Sequence, residues 1–363
     1  MKVLSLFDGI SCARVALERA GIPVEAYYAS EIDKYAIQVS QKNWIQNIMH
    51  VGSVVNLKFK SWEAQPHCST GTGSLGVTIY DTHIDLLIGG SPCQDLSIAK
   101  KDRKGLGGER SGLFWEYVRI LREVKPKYFI LENVASMPKE AKEIITRELG
   151  VEPIMINASL VSAQNRKRLF WTNIPNVTLP EDRGILLRDI LEPKVDENFF
   201  VKSVDFVKGG TDKKTELDFI GGIRNKDWAK DGKNYSRNFG QGDRVYSPNG
   251  KSTTLSALGG GRGAKTGLYA IPVALRNRGE GKKPEYNGTG KANSMTTVQT
   301  DSMVEVESHI RKLTPIECER LQGLPDNYTE GISNTQRYKC CGNAFNVDVV
   351  AHILSFIPHE TRS

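Results

Sequence analysis

The residues with the most chemical potential in this chain stand just past short apolar runs. Gly89-Gly90-Ser91-Pro92-Cys93-Gln94 follows the apolar stretch 85–88 and sets a thiol at its carboxyl end. A cysteine there, beside a glycine pair, occupies the position of a nucleophile, although an isolated buried cysteine is more often an inert small hydrophobe. The next residues favour the nucleophile. Lys100-Lys101-Asp102-Arg103-Lys104-Gly105-Leu106-Gly107-Gly108 is basic and glycine-rich, a composition suited to a lid that closes on phosphates. Glu132-Asn133-Val134 then sets an acid at the next strand end. Desolvation there would keep a carboxyl protonated and able to act as a general acid.

A second group of residues points to a bound ligand. Phe7-Asp8-Gly9-Ile10-Ser11 closes one apolar run and opens a helical pattern. Glycine there permits close approach of the backbone, and a helix start offers free N–H groups. Glu31 closes the next apolar run, where an acid can accept hydrogen bonds from ribose hydroxyls. This spacing suits an adenosine-type ligand. Gly71-Thr72-Gly73-Ser74-Leu75-Gly76 matches a dinucleotide-binding string but follows no strand, so it reads as an insertion.

Positioning these groups takes strands and helices in alternation. Segments 3–7, 26–32, 85–88, 128–132 and 153–158 read as strands, and 12–20, 33–41, 113–124 and 139–149 have helical spacing. Such alternation predicts βαβ units in a doubly wound, largely parallel α/β sheet. Ligands of such sheets sit beyond the carboxyl ends of the strands, where the candidate residues fall.

Past residue 175 the texture changes. Seventeen of the 34 glycines lie between 209 and 290, and helical periodicity fades. Short strands are expected at 245–247, 268–271 and 303–306, in a smaller irregular β-rich domain. Gly250-Lys251-Ser252-Thr253-Thr254-Leu255 is echoed by Gly290-Lys291-Ala292-Asn293-Ser294-Met295-Thr296-Thr297, which reads as two similar loop-strand units. Helical patterning returns at 314–322 and 345–356, and this tail is expected to fold back on the first domain. The expected organisation is a catalytic and cofactor-binding domain at 1–175, a second domain at 176–308, and a returning segment at 309–363.

Charge sharpens the division. The chain of 363 residues carries a net charge of +7, yet 224–291 alone holds fourteen Lys and Arg against five Asp and Glu. A solvated basic face is one reading; the concentration beside Trp228, Tyr235, Phe239 and Tyr246 favours a polyanion-binding face as the other. Six cysteines with no CxxC pair do not form a disulfide scaffold or a zinc site, and no metal is expected. No apolar run approaches the length of a membrane span, and the first residues read as a strand rather than a signal peptide. A cytoplasmic location is the expectation.

Together these blocks resemble a known family. Pro92-Cys93-Gln94, Glu132-Asn133-Val134, Gln164-Asn165-Arg166-Lys167-Arg168 and Gly342-Asn343 are similar, in order, to the signature blocks of the DNA cytosine-5 methyltransferases. Arg311-Lys312-Leu313-Thr314-Pro315 with Glu317, Arg320, Leu321, Gly323 and Pro325 resembles that family's late block. The first half looks closest to the animal de novo branch, through Phe7-Asp8-Gly9-Ile10 and Gly90-Ser91-Pro92-Cys93; the middle domain looks like that of bacterial or phage enzymes.

The resemblance implies an S-adenosyl-L-methionine-dependent enzyme acting on a cytosine flipped out of duplex DNA. It implies catalytic roles for Cys93, Glu132, Arg166 and Arg168: attack on carbon-6, a proton at ring nitrogen 3, and orientation. Cofactor contacts would come from Phe7, Gly9, Ile10, Glu31, Ile32, Ser53, Pro92, Leu113, Asn343 and Ala344. DNA would be met by Gln94, Ser97, Lys100, Lys101, Arg103, Lys104, Arg244, Thr254 and Arg262. Thr254-Leu255 and Thr297-Val298 both resemble the family's short Thr-aliphatic element, and sequence leaves the choice open.

Two positions depart from the family pattern. Ser53 stands where an acid usually receives the adenine amino group, and Cys12 replaces a glycine. The resemblance allows a separately acting restriction endonuclease as partner and leads us to expect a monomer. A tRNA cytosine-5 methyltransferase and a non-catalytic DNA-binding relative are the competing readings.

Overall fold

Alternation of apolar residues builds the central sheet. The computed structural model describes residues 1–59, 78–79, 83–91, 112–201, 206–208, 217–223, 239, 241–257, 265–277, 282–286 and 305–358. In β1 (Lys2–Leu6), Val3 enters one core while Leu4 and Leu6 enter another on the opposite face, as the two-residue period of a strand requires. The chain continues through α1 (Cys12–Arg19), β2 (Ala26–Ser30), α2 (Lys34–Trp44) and β3 (Met49–His50). A two-stranded ladder of β4 (Lys58–Phe59) and β5 (Thr78–Ile79) stands apart. Then come β6 (Leu86–Gly89), α3 (Leu113–Val124), β7 (Tyr128–Val134), α4 (Lys139–Leu149), β8 (Ile154–Asn157) and β9 (Lys167–Thr172). Asp33 starts α2 by accepting from the Tyr35 and Ala36 amides, satisfying donors that a helix start leaves open.

The seven-stranded sheet has the order β3-β2-β1-β6-β7-β9-β8. Its strands run parallel except β9, which is antiparallel to both β7 and β8. Helices cover both faces, so the expected doubly wound α/β architecture holds. Leu87, Leu131 and Trp171 pack with α3 and α4, whereas Val3, Ile88, Ile130 and Phe170 share a core with α1.

A second, six-stranded sheet comprises β10 (Phe206–Lys208), β11 (Phe219–Ile223), β12 (Arg244–Tyr246), β13 (Leu268–Asn277), β14 (Lys282–Tyr286) and β15 (Glu305–Arg311). The short strand expected at 268–271 continues to Asn277, because β15 pairs along 269–275 and β14 along 273–277. Three helices complete the chain: α5 (Pro315–Leu321), α6 (Asn334–Asn343) and α7 (Val347–Ser355). Thr314 and Glu317 form a capping box at α5. Glu317 also receives two hydrogen bonds from the buried Arg311 guanidinium, at 2.7 and 2.6 Å. Its remaining capacity is taken by the Glu192 and Thr314 amides, so the buried carboxylate is saturated. The buried side of α7 joins the core beneath α1. Among the described residues no helix is long and apolar enough to cross a membrane.

Candidate active site

The site is built from the carboxyl ends of β1, β2, β6 and β7. Directly after β1 the backbone turns through Phe7 (φ 55°), Gly9 (φ 61°) and Ser11 (φ 62°), all left-handed. That φ favours glycine at position 9, and the space beside it is open: a Cβ there would meet nothing within 4 Å. Its amide donates to Glu31 Oε2 at 2.7 Å, while Glu31 Oε1 accepts from the Ile32 and Asp33 amides at 2.8 Å each. Three backbone donors thus aim one carboxylate just beyond β2. Ile32, beside it, is 74% exposed, an apolar side chain left uncovered at the sheet's ligand edge.

Beneath this turn lies Asp8, buried, accepting from the Tyr27 hydroxyl at 2.6 Å and from Ser11 Oγ at 2.5 Å. Ser11 Oγ also pairs with Ser40 Oγ, and Ser40 Oγ with His50 Nε2. Burial pushes the Asp8 carboxyl up to about 6. Cys12, which opens α1, is buried, and desolvation drives its thiol well above the usual range, so it is inert.

The acid lies on β7. Glu132 is not the last residue of its strand, as expected, because pairing with β9 carries β7 on to Val134. Arg168, on β9, donates from Nε to Glu132 Oε1 at 2.8 Å. The carboxyl therefore faces a guanidinium rather than an apolar wall alone. Arg166 is almost fully buried and reaches elsewhere: it donates to the carbonyls of Gly342 (3.4 Å) and Ala344 (2.9 Å), at the end of α6. Glu132, Arg166 and Arg168 line one pocket, whose apolar side includes Ile156, Phe170 and Phe345.

Gly90 belongs to the same place. A Cβ on it would lie 2.8 Å from the Phe345 ring and 3.2 Å from Glu132 Oε2, so only glycine fits. Ser91 comes next, buried, its Oγ accepting from Asn133 Nδ2 at 3.2 Å. Pro92, Cys93, Gln94, Ser97, Lys100, Lys101, Arg103 and Lys104 lie outside the described residues, as does Arg262.

The other expected contacts are spread around this edge. Leu113 opens α3 and is half-buried; Asn343 is exposed and Ala344 buried between α6 and α7. Ser53 precedes a short 3-10 turn and makes no capping bond. Arg244 is exposed on β12, its Nε donating to the Phe239 carbonyl, far in the chain from the catalytic set. Thr254 is close to it: its Oγ1 donates to the Asn165 carbonyl, next to Arg166. Thr297-Val298 lies outside the described residues. Lys251, buried beside this loop, stood out in the sequence only as part of the echoed 250–255 block, and nothing in that block marks its lysine as buried. Among the described residues no His, Cys, Asp and Glu cluster could hold a metal.

These residues suit the adenosine portion of a nucleoside cofactor. Glu31 offers a fixed acceptor for a vicinal diol, Gly9 leaves room for close approach, and Ile32 offers an apolar surface to a base.

The profile of the C-5 cytosine-specific DNA methylases matches residues 1–359. The chain belongs to that family. It is 28% identical, over 388 residues, to the type II methyltransferase M.HhaI of Haemophilus parahaemolyticus, covering 100% of this chain and 94% of that one. It is 26% identical, over 517 residues, to the orphan methyltransferase M.Rho11sI of Bacillus phage rho11s, covering 99% and 98%. Among solved structures, a putative DNA modification methyltransferase encoded within an E. coli prophage superposes with a TM-score of 0.57 at 20% identity, covering 98% of each chain. The S. pombe Dnmt2 methyltransferase superposes with a TM-score of 0.57 at 16% identity, covering 98% of this chain and 97% of that one. These two likenesses carry the fold. A C-5 cytosine DNA methyltransferase of this family uses S-adenosyl-L-methionine as its methyl donor and DNA as its substrate.

Proposed function

We propose that this methylase modifies a flipped cytosine within a specific duplex DNA sequence, using Cys93 as nucleophile and Glu132 as acid. The reading rests on one observation above all: Glu132, fixed by Arg168, lies beside Gly90, three residues before Cys93. In the proposed reaction the Cys93 thiolate bonds to carbon-6 of the base. The ring electrons move toward carbon-5, and Glu132 supplies the proton held at nitrogen 3. Arg168 keeps one carboxyl oxygen occupied, leaving Oε2 to face the base. Arg166 braces the turn carrying Gly342 and Ala344. When bound, S-adenosyl-L-methionine supplies an electrophilic methyl group to carbon-5. Loss of the carbon-5 proton to water then re-forms the 5,6 double bond and expels the thiolate, and the nitrogen 3 proton returns to Glu132.

Phe7, Gly9, Ile10, Glu31, Ile32, Pro92, Leu113, Asn343 and Ala344 would hold the cofactor; Ser53, lacking a carboxylate, would hold the adenine amino group weakly. Residues 1–175 with 309–363 would form the catalytic unit and 176–308 the recognition unit. Gln94, Ser97, Lys100, Lys101, Arg103, Lys104, Arg244, Thr254 and Arg262 would meet DNA. The enzyme would act as a monomer, any cognate restriction endonuclease acting separately. Bisulfite sequencing of DNA from cells expressing the chain tests this. Methylated cytosines at one recurring sequence are expected; unmethylated DNA, with transfer of methyl groups to tRNA by the purified protein, would replace this reading with the RNA one.

A further inference from the structure

Lys251 is a buried cation that the proposed chemistry leaves unused. Its side chain is 8% exposed, and Asp182 offers a carboxylate 3.9 Å away at the surface. Its Nζ donates to the carbonyls of Ser159 (2.6 Å), Ser162 (3.3 Å) and Ile185 (2.7 Å). Three carbonyls match the three N–H donors of an ammonium group. Ser159 and Ser162 lie in the turn between β8 and β9 that leads to Arg166, whereas Ile185 lies in the chain running toward the second sheet. Burying an ammonium is costly without such partners, and the three carbonyls in turn depend on it for donors.

The residues after Lys251 form a strap laid along the same turn. The Ser252 amide donates to the Ala163 carbonyl at 2.6 Å, and the Asn165 amide donates to the Ser252 carbonyl at 2.9 Å. Thr254 Oγ1 donates to the Asn165 carbonyl. Further on, the strap presses against α6: a Cβ on Gly342 would lie 2.5 Å from the Ala257 nitrogen. Gly342 is also the residue whose carbonyl receives Arg166. An apolar contact would tolerate sliding of this strap; three directed hydrogen bonds fix its register.

We infer that Lys251 is a positioning residue for target recognition, seating the 251–257 strap in one register on the turn that carries Arg166. The inference rests on the proposed reading of this site as one that methylates a chosen DNA sequence. Lys251 then ties sequence choice to catalysis, since the strap joins β12 of the second sheet to the catalytic set.

The test compares full-length wild type, Lys251→Met and Lys251→Arg. Two quantities are read: S-adenosylhomocysteine affinity by calorimetry, and the ratio of kcat/KM on the recognised duplex to that on a duplex with one base pair changed. Lys251→Met is expected to keep cofactor-product affinity within about twofold while the ratio falls about tenfold, a typical single-base-pair discrimination. Lys251→Arg, which retains donors, should recover most of the ratio. A folded Lys251→Met protein with an unchanged ratio would overturn the inference, as would a parallel loss of cofactor-product affinity. Should Lys251→Met fail to fold, amide exchange in the wild type decides: Asn165 and Ser252 should open at one common rate, and separate rates contradict the seating. A wild type that methylates no duplex would overturn the proposed function instead, leaving amide exchange to judge Lys251.

Discussion

Glu132 is held on one side by Arg168 and approached on the other by Gly90 and Phe345. Its reach is therefore set by strand geometry rather than by a flexible loop. If its carboxyl delivers a proton to the base, Glu132→Gln should lower kcat by roughly 10²–10⁴, the usual size of general acid catalysis. S-adenosylhomocysteine affinity should not change, because Glu31 and Gly9 hold that ligand in the proposed site. Single-turnover methylation of duplex DNA measures this; near-wild-type turnover would make the carboxyl structural. At this scale the acid was legible from its place at a strand end, and its arginines only through the family resemblance of residues 164–168. The partner of Arg166 was not, because Gly342 and Ala344 lie 176 and 178 positions away, and no local pattern records so distant a pairing.

The turn between β1 and α1 is the element whose behaviour should depend most on pH. Asp8 anchors it from below, with its carboxyl raised to about 6 by burial. In the unfolded chain an aspartate titrates near its ordinary value of about 3.9. Between those values the folded protein keeps a proton that the unfolded chain gives up, so stability falls as pH rises through that window and levels off above it. The loss should amount to about 3 kcal/mol. Asp8→Asn removes the titration, since its amide can still pair with Tyr27 and Ser11 once their hydroxyls rotate. Urea unfolding at several pH values should show the wild type losing ground to Asp8→Asn from pH ~4 to ~6; parallel profiles would mean that Asp8 is not the group responsible.

Elements with strong periodicity were read well from sequence. Leu113–Val124 and Lys139–Leu149 are helices over the expected residues. The helix Asn334–Asn343 was missed because its sequence, Asn-Thr-Gln-Arg-Tyr-Lys-Cys-Cys-Gly-Asn, carries no apolar stripe; it buries Tyr338, Cys340, Cys341 and Gly342 against neighbours supplied by the rest of the fold. β9 was likewise absent from the expected strands, and its slot between β7 and β8 lay beyond periodicity, which does not report a strand's neighbours.

At the scale of the molecule, the second sheet packs against the returning C-terminal segment through one apolar cluster. Tyr246, Leu255 and Tyr269 pack there with Leu313, Cys318 and Leu321 of the returning segment. The groups proposed for chemistry serve any cytosine, so they do not select its neighbours. In the proposed reading sequence choice lies in residues 176–308, where the basic stretch falls. Arginines there would read guanines, each good bidentate contact adding about 1–3 kcal/mol of discrimination. Replacing that segment with its counterpart from a relative of known specificity should move methylation to the relative's site, read by bisulfite sequencing. A folded, active chimera that keeps the original site would contradict the assignment. The change of texture past residue 175 was visible in glycine content and charge, but the regular six-stranded pairing was not, because its longest strand carries a proline, Pro272, that interrupts the expected pattern.

The central claim is covalent chemistry at Cys93, and one measurement meets it directly. A bond from the thiol to carbon-6 is released only after carbon-5 loses its proton. Duplex DNA carrying 5-fluorocytosine at the recognised site has fluorine in that place, so enzyme and DNA should remain joined in the presence of S-adenosyl-L-methionine. The wild type is expected to give a denaturation-resistant protein–DNA band, absent from Cys93→Ala although that variant still binds the duplex. A cross-link that survives in Cys93→Ala, or none in an active wild type, would contradict the account.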